Sequence, residues 1–520
     1  MNHYRWLDLI VVVVYMMSMA VVGLWFSRRQ TNTETYFVAK RAIPSWAMGL
    51  SMLATLISSV TFVAYPGSSY AKDWSLLTPG FLVVGVLLLV GSRIIPFYRR
   101  VVGMSAYEYF ERRFGRAARV YASVAFSLAH FSKMAFVFYL MALTINSITG
   151  WIIDYVIVTV CVVMIFYTLV GGIEAVIWTD VIQAFLCWTG VLTCLGFLLF
   201  MPPGGPVAVF RLAVEHNKFS LGPAQFDFTD ATIPVLLIYG FFWYLQRYTA
   251  DQTLVQRYLV AKSDRAALKG VSLGAFLCLP VWALFMLIGT CTWAFFKLTG
   301  ETLPPYVTKA DQVFPYFVGT HLPVGVSGLF LASLMGAAMT MLASDLNSIA
   351  MVGVEDFYRR LRPRASDRQR MRAARLMVAV IGALSAAAAL ILAHTKGNAL
   401  QMWFAVSAIV SGGLAGLFLL AFLSRRAHKR GVYVGIAASV AATIWAVLTR
   451  DGKFVDLGRF NYTWNDLMIG ALGHVVLLSV GYAASLLLPP PAAPDRESGS
   501  MTIWGLSAHR EKEAVGEAVP

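Results

Sequence analysis

The stretch SMLATLISSVTFVAYPGSSY, residues 51–70, decides the fold. It is apolar enough to form part of a membrane-spanning helix, yet hydroxyl side chains recur in it, at Thr55, Ser58, Ser59 and Thr61. With Pro66 and Gly67 beyond them, this pattern is typical of a helix that loses its regular hydrogen bonds, and freed backbone carbonyl groups are hard ligands for a small cation. The residues alone also allow a simpler alternative, in which the hydroxyls bond back to their own helix beside a proline bend.

The composition identifies an integral membrane protein. Of the 520 residues, 58% are hydrophobic and only 13% are charged, whereas about a quarter are charged in a soluble protein. A helix needs about 20 apolar residues to cross the bilayer. We therefore predict an all-α protein with about thirteen transmembrane helices, at 6–27, 45–70, 76–99, 117–149, 152–171, 176–201, 231–258, 270–298, 323–357, 372–395, 398–423, 429–449 and 465–488.

The net charge of +15 is a signal of topology. Most of the 42 Lys and Arg residues lie in alternate loops, namely 28–41, 93–119, 257–269, 359–375 and 425–430. Because cytoplasmic loops carry the excess of Lys and Arg, we expect the N-terminus outside and the C-terminus in the cytoplasm of a multi-pass inner (plasma) membrane protein. The partner of the basic loops is therefore the lipid bilayer, and we expect no nucleic acid.

Motifs of catalysis are missing from the sequence. There is no GxxxxGK[ST] loop for nucleotides, no metalloprotease spacing and no GxSxG elbow. All five cysteines fall in predicted spans, which argues against a disulfide framework or a metal cluster. We expect no enzyme activity and no cofactor. A multi-span protein of this kind is most often a transporter or a channel, and many transporters bind their solute at interrupted helices near the midplane.

The stretch YTLVGGIEAVIWTDVIQ, residues 167–183, carries a carboxylate into the predicted span 176–201. Gly171 and Gly172 predict a tight hairpin, and Asp180 then enters the next span. Its neighbours four residues away, Val176 and Ala184, are apolar, so no local ion pair explains it. Intramembrane carboxylates are usually functional, so we expect a bound cation or a distant donor. Snorkelling of Asp180 to nearby cytoplasm is the alternative.

Two further segments carry charge among aromatic or apolar residues. In YGFFWYLQRYTADQTLVQRYLVAKS, residues 239–263, an aromatic stripe includes Tyr244 and Tyr248 and is interrupted by Arg247. Aromatic faces beside convergent polar groups are typical of a small-solute pocket, although the stripe could equally be packing. Arg247 and Asp251, four residues apart, could neutralise each other. Lys133 could counter a buried carboxylate, contact an anionic solute or snorkel to a surface.

The segment MTMLASDLNSIAMVGVEDFY, residues 339–358, carries the densest polar pattern. On a helix Thr340, Ser344 and Asn347 share one face. Asp345 points about 100° away from Ser344. Asp345 is therefore expected beside this polar face and not on it.

Taken together, these motifs resemble the sodium:solute symporter family. The matches include WAMGLSMLATLISSVTFVAYPGSSY, GMSAYEYFERRFG, DQTLVQRYLVAKS, the LNS and D-x-Y signature after Asp345, and IWGL in the tail. The resemblance implies the LeuT-type fold of two inverted five-helix repeats, each beginning with a broken helix. It implies the following division of the chain: an extra helix and loop at 1–44, the repeats at 45–201 and 231–423, an extracellular loop at 202–230, two more helices at 424–488 and a cytoplasmic tail at 489–520.

The resemblance also implies two cation sites. The principal site would use the carbonyls of Ala54, Ile57 and Ala337 with side chains at positions 340 and 341. Thr340 supplies a hydroxyl, but Met341 supplies a soft thioether, which is a poor sodium ligand. A second site would use Asp180, Ser344 and again Thr340. Asp345 could compensate for Met341, take up a proton, or pair with Arg247 or Lys133.

The expected function is cation-coupled symport of a small organic solute into the cell by alternating access, with Na⁺ as the cation. Proton coupling and a non-cycling solute sensor or receptor on the same fold remain as alternatives. The resemblance places the solute pocket or gate at Thr61, Tyr244, Arg247, Tyr248 and Lys133. Hexose-binding side chains are not visible, and Lys133 and Arg247 allow an acid or sugar acid. The sequence leaves the oligomeric state open.

Overall fold

The segment 51–70 is broken in the middle, as predicted. Helix α3, Ser45–Leu56, ends at Ile57, and helix α4, Ser59–Ala71, starts afresh after Ser58, with a bend of 57° between the two axes. Ile57 and Ser58 have extended backbone conformations. The break is stabilised locally, because the Ser58 hydroxyl accepts from Val60 N at 3.2 Å and Ser58 N donates to Thr61 Oγ1 at 3.3 Å. This capping box satisfies amide groups that would otherwise be orphaned at the start of α4.

The computed structural model describes residues 6–27, 33–305, 307–394, 412–452, 454–490 and 501–504. Within these ranges the chain is helical, with one isolated β-bridge between Ile43 and Ala261. Apart from α3 and α4, the helices in chain order are α1 Trp6–Ser27, α2 Thr33–Val38, α5 Leu82–Val101, α6 Glu108–Phe114, α7 Arg116–Thr149, α8 Ile153–Phe200, α9 Gly205–Glu215, α10 Ile233–Ala250, α11 Gln252–Val260, α12 Asp264–Thr299, α13 Val313–His321, α14 Val326–Val352, α15 Arg359–Leu361, α16 Asp367–His394, α17 Leu414–Leu423, α18 Lys429–Thr449 and α19 Leu467–Leu487. A π-helical turn, Gly353–Tyr358, connects α14 to α15, and short 3₁₀ turns occur in several loops, the longest at Ser75–Phe81 before α5.

In the described part of the chain, nine helices are long and apolar enough to cross a membrane, or ten if α3 and α4 count as one span. This is fewer than the thirteen predicted. The predicted spans 152–171 and 176–201 share α8, in which Gly172 (φ 60°, ψ −166°) interrupts the helical backbone at the predicted hairpin. The span 231–258 is divided at Asp251 into α10 and α11, and most of 398–423 lies outside the described residues.

Helix α14 lies at the centre of the molecule. Buried residues make up 89% of the apolar part of Val326–Leu361, compared with 28% for α16. Helices α1, α7 and α8 all contact α14 extensively. The polar residues of α14 therefore face protein and not lipid, and Thr340, Ser344, Asp345 and Asn347 have no exposed surface.

Glycines bring both halves of the broken helix into close contact with α12. A Cβ atom at Gly289 would lie 2.1 Å from the Pro66 carbonyl oxygen of α4. At Gly274 it would lie 2.8 Å from the Gly49 carbonyl oxygen of α3. Because only glycine permits backbones to approach this closely, α3, α4 and α12 form one tightly packed group.

One end of the helical assembly carries the arginine-rich segments 99–119 and 359–375, which Arg360 joins through Glu111, and we call it the basic end. Side chains far apart in the sequence contact each other there. Thr33 Oγ1 donates to Asp367 Oδ1 at 2.6 Å, and Arg119 Nη1 donates to Glu111 Oε2 at 2.6 Å. Glu111 also pairs with Arg360. Helix α3 begins and α14 ends at this end of the molecule.

Candidate cation and solute sites

A cleft opens where α3 ends, against α8 and α14. It is lined by Leu53, Ala54, Ile57, Gln183, Ala184, Cys187, Trp188, Ala337 and Thr340. Four of the five residues predicted for the principal cation site are therefore brought together. Met341, the fifth, is buried but does not line this cleft.

Gln183, which no sequence motif singled out, also lines this cleft and carries a side-chain oxygen. The Thr340 hydroxyl donates to Gln183 Oε1. The amide nitrogen of Gln183 donates to the Tyr15 hydroxyl at 2.8 Å, which orients the carboxamide. A usable signal was present, because Gln183 follows Asp180 by three residues and so shares its helix face.

Asp180 forms a buried ion pair with Arg257 of α11. Arg257 Nη2 lies 3.2 Å from Asp180 Oδ2, and neither side chain is exposed. Ser51 donates to the same carboxylate oxygen, and Arg257 Nη2 donates to Ser344 Oγ at 2.8 Å. Asp180 thus has a distant donor, one of the two predicted outcomes, and it does not snorkel to the surface. Our placement of Arg257 in a cytoplasmic loop, 257–269, is wrong, since α11 carries it into the protein interior.

The second oxygen of Asp180 differs from the first. Oδ1 is buried and receives no hydrogen bond within the described ranges. The Thr340 hydroxyl lies beside the carboxylate, but its single proton goes to Gln183. A buried carboxylate oxygen without a donor is costly. Asp180 Oδ1, Thr340 and Ser344 consequently present oxygen atoms of the type that a small hard cation binds.

Arg257 also makes hydrogen bonds that connect four helices, α3, α8, α11 and α14. Its guanidinium contacts Ser51 of α3, Asp180 of α8 and Ser344 of α14, and it donates to the Thr253 carbonyl of its own helix at 2.8 Å. One residue earlier, Gln256 Nε2 donates to Asn347 Oδ1 at 2.6 Å. These contacts form a buried polar cluster between α3, α8, α11 and α14.

The carboxylate of Asp345 does not reach the cation cleft. Lys133 Nζ lies 2.8 Å from Asp345 Oδ2 and 3.0 Å from Oδ1, and His130 Nδ1 lies 2.8 Å from Oδ1. Of the predicted roles for Asp345, pairing with Lys133 is the one observed. Asp345 does not line the cleft, and within the described ranges Arg247 pairs with Asp251 and not with Asp345. Lys133 counters a buried carboxylate and does not snorkel to a surface.

Another ion pair lies next to the Lys133–Asp345 pair, at the break between α10 and α11. Arg247 pairs with Asp251, as the spacing predicted, and Arg247 also lies over the Trp243 ring at 5.6 Å. His130 Nε2 lies 3.3 Å from Asp251 Oδ2, so this ring lies between the two carboxylates. The cations Lys133 and Arg247 balance the charges of Asp251 and Asp345. We call His130, Lys133, Arg247, Asp251 and Asp345 the charge network.

Three other predicted pocket residues already have partners in the protein. The Tyr248 hydroxyl donates to the Val83 carbonyl at 2.8 Å, and the Tyr244 ring lies 6.2 Å from the Trp282 ring. Thr61 accepts the Ser58 amide in the capping box. Tyr248 thus links α10 to α5 through its hydroxyl. Tyr244 keeps 6% of its surface exposed and Thr61 keeps 4%.

The fold and the site define a class of protein, a secondary transporter of the bilayer. Interrupted helices that cross near a buried cation cleft are the common design of such transporters. The sodium:solute symporter family model matches residues 36–438. The chain belongs to this family and is a sodium-coupled solute symporter, not an enzyme.

Relatives with similar sequences cover almost the whole chain. The sodium/sialic acid symporter NanT of Aliivibrio fischeri is 34% identical over 98% of this chain and 97% of its own length. The sodium/sialic acid symporter SiaT of Proteus mirabilis is 32% identical, with 94% and 97% covered. The sodium/glucose cotransporter of Vibrio parahaemolyticus is 29% identical, with 84% of each chain covered.

Solved structures give the same result for the fold. A substrate-bound, outward-open Na⁺-coupled sialic acid symporter superposes with a TM-score of 0.85 at 32% identity, covering 93% of this chain and 98% of that one. The nucleobase-cation symporter Mhp1 in a closed conformation superposes with a TM-score of 0.59 at 14% identity, covering 91% and 99%. At that identity the second match bears on the fold alone.

Proposed function

We propose that this protein imports an acidic sugar of the sialic acid class together with Na⁺, with the basic end facing the cytoplasm. The observation that carries the proposal is the cleft at the end of α3, where predicted cation ligands from α3 and α14 meet beside Gln183 of α8. The sialic acid symporters among its relatives favour this solute class. We retain the thirteen spans and the two inverted repeats, 45–201 and 231–423, as part of the same proposal.

The principal cation would bind at the end of α3. The carbonyl groups of Ala54 and Ile57 are freed by the break, and Ala337 and Thr340 belong to the facing helix α14. Gln183 Oε1 would supply the hard oxygen that Met341 cannot, since carboxamide oxygens are ordinary ligands of hard cations. The ion would bridge α3, α8 and α14 and thereby stabilise the arrangement in which the solute pocket is formed.

A second cation would bind at Asp180, with Thr340 and Ser344. This ion competes with Arg257, because both interact with the Asp180 carboxylate and the Ser344 hydroxyl. Binding there would weaken the hold of Arg257 on α3, α8 and α14, which closes the basic end. The second site therefore offers a route from cation binding to opening of the transporter towards the cytoplasm.

Coupling follows from the shared helix α14. It carries Thr340 and Ser344 on the cation side and Asp345 in the charge network, one residue further on. Cation and solute thus act on the same central helix. By linkage, the solute must raise cation affinity by the same factor as the cation raises solute affinity. Alternate exposure of both to the two sides then gives uptake driven by the cation gradient.

The proposal is tested with purified protein in proteoliposomes. We expect uptake of radiolabelled sialic acid with an inward Na⁺ gradient, and little uptake when choline or K⁺ replaces Na⁺. A protonophore should leave the Na⁺-driven initial rate largely unchanged. Uptake that follows a pH gradient and ignores Na⁺, or solute binding without counterflow across the membrane, would contradict sodium-coupled import. Uptake of neutral sugars alone would contradict the acidic solute class.

A further inference from the structure

The charge network is unusual for an anion-binding pocket because its cations are already paired. Lys133 is 2.8 and 3.0 Å from the two oxygens of Asp345, and Arg247 is paired with Asp251. A site that recognises a carboxylate needs a cation with free donors. Here the Lys133 ammonium group faces Asp345, whereas Arg247 donates to Asp251 through Nη1 and keeps a buried Nε without a partner among the described residues.

We propose that Asp345 is a specificity-determining residue of the solute pocket, which occupies Lys133 in place of the solute's carboxylate until an acidic solute displaces it. This inference rests on the proposed function, because it concerns acidic solutes at that pocket. It assigns to Asp345 a role distinct from cation binding. Asp345 lowers the affinity for any single carboxylate and so sets how strongly an acid is preferred over a neutral analogue.

The two members of the pair differ in exposure. Lys133 and His130 each keep 7% of their surface exposed, whereas Asp345 is completely buried. Lys133 is therefore the member of the pair that an approaching solute carboxylate would meet first.

His130 allows Asp345 to lose Lys133 without being left alone. Its Nδ1 lies 2.8 Å from the Asp345 oxygen that Lys133 also contacts, and 3.1 Å from Lys133 Nζ. The ring is fixed from two other sides, by Asp251 at 3.3 Å and by Phe126 with ring centroids 4.1 Å apart. A buried charge that loses its only partner is strongly unfavourable. With its proton on Nδ1, the ring donates to Asp345, and His130 is thus a positioning residue that keeps a partner for Asp345 during exchange.

The experiment compares two solutes that differ in charge, sialic acid and its methyl ester. Their affinities are measured by calorimetry in saturating Na⁺ with full-length protein in nanodiscs. In Asp345→Asn the repulsion and the competition for Lys133 are both removed, so we expect the acid-to-ester affinity ratio to rise about tenfold or more. The matched control is Asp356→Asn. It also removes a buried, ion-paired carboxylate, but this one is bound by Arg119 at the basic end. Its ratio should equal that of the wild type.

A second variant keeps the test decisive if Asp345→Asn fails to fold because Lys133 is left without a partner. The double variant Lys133→Gln with Asp345→Asn removes both charges, and it should bind acid and ester with a ratio near one. An unchanged ratio in Asp345→Asn, equal weakening of both solutes, or a double variant that still prefers the acid would overturn the inference while leaving sodium-coupled uptake intact. If the wild type binds neither solute in Na⁺, the sialic acid assignment fails, and this inference fails with it.

Discussion

Arg257 illustrates how a single residue can be misplaced by sequence reasoning. It follows an aromatic-rich segment and precedes a basic loop, so its charge predicts a cytoplasmic position. In the structure it is fully buried, and its partners Asp180 and Ser51 are 77 and 206 positions away in the chain. No local spacing could have paired them. Asp180 was predicted to have a bound cation or a distant donor, because an intramembrane carboxylate without a local partner is rare, and the distant donor is observed.

The Asp180–Arg257 pair leads to a prediction that separates stability from cation binding. Asp180→Asn leaves Arg257 buried without a counter-ion, so we expect the free energy of unfolding to fall by about 3–5 kcal/mol. The double variant Asp180→Asn with Arg257→Gln should recover most of this loss. It should not recover the stabilisation by Na⁺, since the carboxylate ligand is absent. Thermal unfolding with and without Na⁺ measures both, and a double variant with the full sodium response would exclude Asp180 as a ligand.

Met341 gives a second prediction at the residue scale. Met341→Ser places a hard oxygen next to Thr340 on α14, so we expect the Na⁺ concentration for half-maximal uptake to fall by about fivefold, within the range typical of coupled sites. Met351→Ser on the same helix serves as the control, because the Met351 sulfur lies 3.9 Å from the Gln252 amide nitrogen and does not line the cleft. No change in Met341→Ser would mean that position 341 faces away from the cation, with Gln183 as the side-chain ligand in its place.

The course of a single helix was predicted better than the side chains that it contacts on other helices. The hydroxyl-rich stretch 51–70 predicted an interrupted helix, and the structure has extended residues at Ile57 and Ser58. Gly172 was predicted at a turn, and its positive φ interrupts α8 there. By contrast, the position of Gln183 in the cleft was missed, because an amide carries no charge and only its spacing from Asp180 marks it. Which side chains share a cleft depends on helix packing, which local patterns do not specify.

The close approach of α4 and α12 gives a prediction for an element pair. Gly289→Ala would place a Cβ atom 2.1 Å from the Pro66 carbonyl oxygen, so the two backbones must separate. We expect a drop in the melting temperature of several degrees and a loss of Na⁺-driven uptake, because overpacking typically costs about 1–3 kcal/mol. Gly196→Ala is the matched control, since nothing lies within 4 Å of its Cβ position. Equal effects of the two substitutions would show that helix propensity and not contact matters.

At the scale of the whole molecule, composition and motif order were sufficient for the class and the family. Low charge predicted a bilayer protein, and motifs in family order predicted the symporter that the comparisons show. The charge network was only partly predictable. Arg247 and Asp251 are close in sequence, but His130 reaches Asp345 across 215 positions. Such pairs exist only after the helices have assembled.

The edge-to-face contact of Trp46 and Trp178, with ring centroids 5.6 Å apart, lies across the seam between α3 and α8. It belongs to the same helix pair that Arg257 joins through Ser51 and Asp180. Indole emission responds to what surrounds the ring, so any parting of these helices alters the light emitted by both tryptophans. The chain therefore carries its own fluorescent marker at the seam that the proposed opening would part, without any attached dye.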